Sequence, residues 1–561
     1  MCLVFTTALS VSSPWVVRLA IDDLGAGVTS QKLWVYALGV VGLVSVEGVF
    51  RYLMRIVLVG LSRDIELDLR NEVFRHLTLL EPAWYQERRI GDIMSRASND
   101  MAAVRMVLGP GIMYAANTIA TSAAAMALMF RISPLLSAFA LLPLALVPVL
   151  VRHYGRQIHD RHEEAQEQLS TLTALVQENL TGARVVRAYV QEDAEMARFE
   201  AANREYLRRS RRLIFLTGAL YPAIQFLMGL GAVTVLGLGG RLAASRSISM
   251  GDFVAFGVYL AMLHWPMIAL GWVINLFERG EASMGRIHEL VDQKPRIDDR
   301  DALPGDELRG QVSVRDLTFA HEGGNVVLER LSFDVAAGST VAIVGPTGSG
   351  KSTLVSLLAR LFDPPMGCVF VDGRDVRTIP LEELRGAIGF VPQETFLFSL
   401  SILENIALGL RGSAAEEGMR AHALWAAATA QLTKDVGDFP RGFDTLVGER
   451  GVTLSGGQRQ RAALARALAI GPRILVLDDA LASVDTETEE RILEGLRRLF
   501  GSCTTFLVSH RVSTVRNADL ILVLRDGRIA ERGTHEALVA LGGFYADLHR
   551  RQLIEQEVLT S

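Results

Sequence analysis

Six apolar stretches, each near the roughly 20 residues needed to cross ~30 Å of hydrocarbon, lie in the first half of the chain and none in the second. They fall at residues 1–20, 33–57, 107–130, 134–151, 213–240 and 253–277. A chain so divided must place one half in a bilayer and leave the other to fold in water. The 561 residues leave room for more than one domain, half of them are hydrophobic, and the mean hydropathy is +0.27, above that of an ordinary soluble protein. The fourth stretch is short, and Pro143 and Pro148 are expected to bend it.

Orientation follows from the connections. Residues 61–106 and 152–212 are long, helix-patterned and rich in Arg, whereas the gaps at 21–32, 131–133 and 241–250 are short. Arg enrichment places the long connections in the cytoplasm, although pairing of Arg with Glu at helical spacing makes part of that charge a solvated face. Within the second span Glu47, Arg51 and Arg55 stand at i, i+4 and i+8. Charges in a span suggest function, but an intrahelical pair near the cytoplasmic end is the simpler expectation. His264, Trp265 and Trp272 in the last span are read mainly as packing or interface residues, with contact to a transported molecule as the alternative.

A net charge of -5 over this length argues against nucleic-acid binding. Cys2, Cys368 and Cys503 are too scattered for a disulfide framework or a zinc site. Basic residues are almost all Arg, so each of the few Lys is of interest. The apolar run opens at the first residue with no basic segment before it, so it does not read as a secretory signal peptide.

After residue 277 the pattern changes. Residues 281–310 are polar, carry Pro295 and Pro304, and read as a linker. From 311 to 561, β-branched runs such as TVAIVG, IGFVPQ, ILVLDD, TTFLVSH and ADLILVL alternate with helical patterns, which predicts an α/β domain with a largely parallel sheet. Residues 345–352 read GPTGSGKS between an apolar strand and a helix. This is a phosphate-binding loop in its required context: Gly345, Gly348 and Gly350 let backbone N–H groups approach phosphate, and Thr347, Ser349 and Thr353 complete the cradle at a helix N-terminus. Lys351 is expected to reach the β- and γ-phosphates and Ser352 to hold Mg²⁺. Asp478, at the end of the strand 474–477, is a second Mg²⁺ candidate. LSGGQ at 454–458 opens another helix, so Ser455, Gly456, Gly457 and Gln458 offer a second anion site. With one phosphate loop already present, that second site must serve another phosphate group.

These motifs resemble the ATP-binding cassette of ABC transporters, and the resemblance extends over essentially the whole chain. The order of membrane domain (1–280), linker (281–310) and cassette (311–561) is similar to that of multidrug- and lipid-type exporters. It implies a fold class: a membrane α-helical bundle of six transmembrane helices fused to an α/β P-loop cassette. It also implies a transporter whose membrane domains sit in a lipid bilayer and whose two cassettes dimerise head to tail, so that each ATP lies between one cassette's phosphate loop and the other's LSGGQ. Gln393 in FVPQETF then corresponds to the glutamine loop that contacts Mg²⁺, His510 in LVSHR to the switch histidine near the γ-phosphate, and Asp485 in LASVD to the loop that crosses the dimer. VGERG at 447–451, and residues 90–114 and 181–193, resemble segments through which cassette and membrane domain communicate.

Three features depart from the family pattern. His321 stands where an aromatic ring usually stacks on adenine; an imidazole can still stack, over less area. Asp479 stands where the family places the Glu that orients the attacking water, and one methylene less withdraws the carboxylate by roughly 1.5 Å. The first span begins almost at Met1, whereas relatives begin with a short cytoplasmic helix, which implies a misassigned start or a truncation. The resemblance therefore implies a multi-pass protein of a bacterial plasma membrane, its cassette in the cytoplasm, that hydrolyses ATP to export a hydrophobic or amphipathic small molecule. Asp479 points to a heterodimer whose non-identical partner half-transporter supplies a catalytic Glu. A homodimeric lipid or drug flippase using Asp479 as its base, and a nucleotide-sensing regulatory subunit, are the alternatives. The intact Gln393, LSGGQ and His510 weigh against the last.

Overall fold

Hydropathy marks where a helix meets lipid, not where it ends. In the computed structural model, which describes residues 1–321, 323–410, 416–448, 454–497, 501 and 503–560, six helical rods carry the apolar stretches. They run Cys2–Gly25, Ser30–Leu79, Ile90–Ile132, Pro134–Thr181, Glu192–Ala244 and Met250–Val291, and are the candidate spans among the described residues. The second rod has 50 residues, about 75 Å at 1.5 Å per residue, more than twice the hydrocarbon thickness. Its polar extension is the Arg-rich connection read as cytoplasmic.

The chain divides into two units: Met1–Thr78 with Ile90–Gln293, and Leu79–Arg89 with residues from Lys294 onward. Within the first, Ser249 caps the last rod in a capping box with Asp252. The Asp22 carboxylate accepts from the Ser249 hydroxyl and the Gly251 N–H, both at 2.8 Å, and Arg18 pairs with Asp252 at 2.8 Å. Gly251 permits this approach, since a Cβ there would lie 2.3 Å from the Arg18 carbonyl oxygen. The fourth rod is interrupted at Leu146, with Pro143 and Pro148 on either side, as expected of prolines that withdraw N–H donors. Glu47 is buried and accepts from Arg51 one turn on, so the simpler expectation for that pair holds. Trp272 meets Tyr114 edge to face at 5.4 Å, while Trp265 is exposed.

The stretch read as a linker begins later than expected. The helix His264–Val291 passes through residues 281–291. Ser283, Ile287 and Leu290 recur at i, i+4 and i+7 and are buried, and Arg286 donates through Nε to Asp100 at 2.9 Å. Polarity there records the exit from lipid rather than the end of the helix. Asp100 lies at the end of a π-helical turn, Arg96–Asp100, within the rod that carries residues 90–114.

The second unit contains two sheets. Strands β1 (Val312–Ala320), β2 (Val326–Val335), β4 (Val369–Val371) and β5 (Arg374–Asp375) form an antiparallel sheet in the order β2-β1-β4-β5. Strands β3 (Thr340–Val344), β6 (Ile388–Val391), β7 (Ile474–Asp478), β8 (Thr504–Val508), β9 (Leu520–Arg525) and β10 (Arg528–Gly533) form the other, in the order β10-β9-β3-β8-β7-β6. All its pairings are parallel except β10 with β9. The five apolar runs singled out in the sequence are β3, β6, β7, β8 and β9. Strand β3 is buried on both faces: Val341 and Ile343 join the core toward β1 and β2, and Ala342 and Val344 join the core toward the helix Gly456–Ala469. The parallel strands end together on one edge of the sheet, where the site is built.

The candidate nucleotide site

The phosphate loop leaves β3 and turns into the helix Lys351–Leu358. Gly350 has φ +95°, and a Cβ on it would lie 2.5 Å from Leu328 Cδ2 and 3.1 Å from the Val327 carbonyl oxygen. Gly350→Ala is therefore expected to lose ATP binding and to destabilise the cassette by about 2–4 kcal/mol, combining left-handed strain with overpacking. Nucleotide titration and thermal melting of the full chain check this.

A cavity of about 250 Å³ opens over the loop. The loop contributes Thr347, Gly348, Gly350, Lys351, Ser352 and Thr353 to it; Gln393 comes from after β6, Asp478 and Asp479 from the end of β7, and His510 from after β8. Residues far apart in the chain thus meet because β6, β7, β8 and β3 are parallel neighbours whose C-terminal ends share one edge. Lys351 is 7% exposed, and its ammonium donates to the Gly345 and Pro346 carbonyl oxygens at 2.9 and 2.8 Å. Burial pulls its pKa down, against the nearby Asp478 and Asp479 carboxylates. Burial pushes the Asp478 carboxyl up, opposed by the Ser352 hydroxyl, which donates to Asp478 Oδ1 at 3.1 Å. Ser352, Asp478 and Gln393 are oxygen donors around one cavity, a set that fits Mg²⁺ shared with phosphates rather than an all-protein metal cage. Among the described residues no group of three or more His, Cys, Asp or Glu forms such a cage. Ser349 is buried and its hydroxyl has no hydrogen-bond partner among the described residues.

Asp479 is half-buried, donates its N–H to the Val508 carbonyl at 3.0 Å, and has φ +49°. Left-handed backbone is tolerated by Asp better than by most side chains.

The remaining predicted residues lie outside this cavity. Ser455 caps the helix Gly456–Ala469 in a capping box with Gln458, whose amide also donates to Asp435 at 3.1 Å. Gly457 must lack a side chain, because a Cβ would come 2.9 Å from the Ser483 carbonyl. Asp485 precedes the helix Thr486–Arg497; the Thr488 N–H donates to it at 2.9 Å and holds its carboxyl below the usual range. His321 meets Phe319 and Phe362 edge to face at 5.2 and 5.0 Å and lines a separate cavity of about 490 Å³. In the 447–451 segment Val447 is buried, and 449–451 lie outside the described residues.

Two residues that the sequence reading passed over brace the site. Gln460, on the LSGGQ helix, accepts from the Ser483 N–H at 2.9 Å. Arg511, next to His510, donates to the Ala482 and Val484 carbonyls at 3.2 and 3.4 Å. Neither stands out in sequence, since Arg and Gln recur throughout these segments.

Two family models match the chain: the ABC transporter transmembrane region over residues 1–267, and the ABC transporter domain over residues 328–482. A probable multidrug resistance ABC transporter ATP-binding/permease protein of Bacillus subtilis is 35% identical, over 98% of this chain and 94% of the relative. An ATP-dependent lipid A-core flippase of Syntrophus aciditrophicus is 32% identical, over 99% and 92%. Among solved structures, a bacterial Atm1-family ABC exporter with ATP bound matches with a TM-score of 0.80 at 30% identity, covering 98% of this chain and 96% of that one.

Proposed function

Because this chain belongs to the ABC transporter family, as an ATP-hydrolysing exporter whose membrane region and cytoplasmic ATP-binding cassette share one polypeptide, we propose that it is one half of a heterodimeric pump for a hydrophobic or amphipathic compound. Its own ATP site is the weaker of the two. The single observation that carries this reading is Asp479: a short carboxylate stands at the end of β7 beside an otherwise complete set of Lys351, Ser352, Gln393, Asp478 and His510. In that reaction water attacks the γ-phosphorus as the bond to the β,γ-bridging oxygen breaks, giving ADP and phosphate. Lys351 holds the phosphates, Asp479 would orient the water and take its proton, and His510 faces the γ-phosphate. Ser352 and Asp478, with Gln393, would hold Mg²⁺, whose charge would offset that of the phosphate oxygens. The Asp479 carboxylate is short for its part, which general-base geometry tolerates poorly. The intact Ser455–Gln458 helix start would complete the partner's competent site. Relatives that are multidrug transporters and a lipid A-core flippase support an apolar or amphipathic cargo.

The test is to purify the tagged chain from its native membranes. A second half-transporter, with Glu at the position of Asp479, is expected to copurify in near-equal amount. Recovery of this chain alone as an active homodimer would sink the heterodimer and favour a flippase that uses Asp479 as base.

A further inference from the structure

His510 is exposed at the end of β8 and no hydrogen bond fixes its ring among the described residues; its position is set by its backbone. That backbone is gripped from the C-terminal helix Phe544–Thr560. Gln552 Nε2 donates to the His510 carbonyl at 2.6 Å, and Gln552 Oε1 accepts from the Val512 N–H at 2.8 Å. A carboxamide is the side chain that offers a donor and an acceptor together, as these two backbone groups require. Between them, Arg511 sends its guanidinium the other way: Nη1 donates to Glu489 Oε2 at 2.5 Å, and the two terminal nitrogens reach the Val484 and Ala482 carbonyls. Glu489 is 3% exposed and also accepts from the Thr514 hydroxyl, so its buried charge is paired on both oxygens. The segment 482–484 is pinned on its far side by Gln460 of the LSGGQ helix, through the Ser483 N–H.

We propose that Gln552 and Arg511 are positioning residues that splint His510 and the 482–485 loop into one body, so that the C-terminal helix sets the geometry of ATP hydrolysis. The inference rests on the reading of His510 as the residue facing the γ-phosphate. The C-terminal helix then has a role in turnover although, among the described residues, it contributes none to the phosphate cavity.

The test compares ATP turnover, ATP KM and melting temperature of the full chain in lipid nanodiscs. Parent, Gln552→Leu, Gln552→Glu, Arg511→Gln and His510→Ala are each made with Asp479 retained and with Asp479→Glu. Rates are read as ratios within each background, so that a slow Asp479 site cancels. Gln552→Leu and Arg511→Gln are expected to lower kcat by about 10-fold or more, since displacements below 1 Å are costly to aligned groups. ATP KM stays within about twofold in all of them because the phosphate loop is untouched, and the melting temperature of the Gln552 variants stays within a few degrees. Arg511→Gln leaves the buried Glu489 carboxylate without its cation and is expected to melt lower. Gln552→Glu keeps the acceptor for Val512, loses the donor to His510, and is expected to be at least as slow as Gln552→Leu. Turnover within twofold of the parent in the Gln552 and Arg511 variants while His510→Ala is inactive would overturn the splint and leave His510's role standing. In Gln552→Leu, a loss of kcat matched by a rise in KM and a fall in melting temperature would reduce the splint to a structural support. Full turnover in His510→Ala would remove the reading of His510 itself, and the inference with it.

Discussion

Lys351→Ala is expected to weaken ATP binding by about 100-fold, the loss of about 3 kcal/mol that removal of a charge-assisted phosphate contact brings. The site is already organised around this ammonium. Its two carbonyl partners, Gly345 and Pro346, belong to the phosphate loop itself, so the side chain folds back along the loop and aims its charge over the cavity. Two acidic side chains, Asp478 and Asp479, also face it and hold its pKa up against burial. Without it, a nucleotide bearing several negative charges would meet two carboxylates and only the neutral N–H groups of the loop. Arg is not a substitute, because a planar fork cannot occupy the narrow space a compact ammonium fills. The pH dependence has a definite sign. Burial lowers the Lys351 pKa, so in the free chain the positive form is lost as pH rises through a value below the ordinary ~10.4. ATP affinity should therefore decline on the alkaline side earlier than an exposed lysine would allow, and the Lys351→Ala variant should lack that limb. Equilibrium titration with a fluorescent ATP analogue across pH reads both effects. An affinity within threefold of the parent would show that backbone N–H groups alone hold the phosphates.

What could be read in advance divides along physical lines. That Lys351, Ser352 and Asp478 share one cavity was legible from a glycine-rich loop between strand and helix and from a carboxylate at a strand end, whereas His510 was placed only by the family resemblance. The five parallel strands were legible because burial on both faces demands unbroken β-branched runs. Strands β4 and β5 of the antiparallel sheet were not, since at three and two residues they are too short to leave a pattern. Helix ends in the first unit were misplaced wherever lipid gave way to water, as at residues 281–291, because hydropathy falls while the i, i+4, i+7 contacts of Ser283, Ile287 and Leu290 continue. The Gln552 grip on His510 was invisible for another reason. It is made to backbone atoms across 42 positions of chain and leaves no pattern of residue types.

Asp479→Glu is expected to raise ATP turnover of this chain, assayed alone in nanodiscs, by about 10- to 100-fold, up to the lower end of what a well-placed general base contributes, since Asp479 already supplies part of it. The argument is one of reach. The backbone of residue 479 is fixed by its hydrogen bond to Val508 and by the buried neighbours Asp478 and Ala480, so the peptide has little freedom to bring a short side chain forward. Adding one methylene advances the carboxylate by roughly 1.5 Å into a cavity already lined by Lys351, Gln393 and His510. The same backbone sets a cost. At φ +49° Glu is less at home than Asp, and the variant should lose up to about 1 kcal/mol of stability even as it gains activity. A faster but slightly less stable enzyme is the signature of a site whose local geometry suits Asp and whose chemistry suits Glu. That combination is what a nucleotide-holding half of an unequal pair would retain. If the unmodified chain already hydrolyses ATP as fast as the variant, Asp479 reaches the water without help. The chain would then need no partner to supply a Glu, and two copies of it would suffice to drive transport.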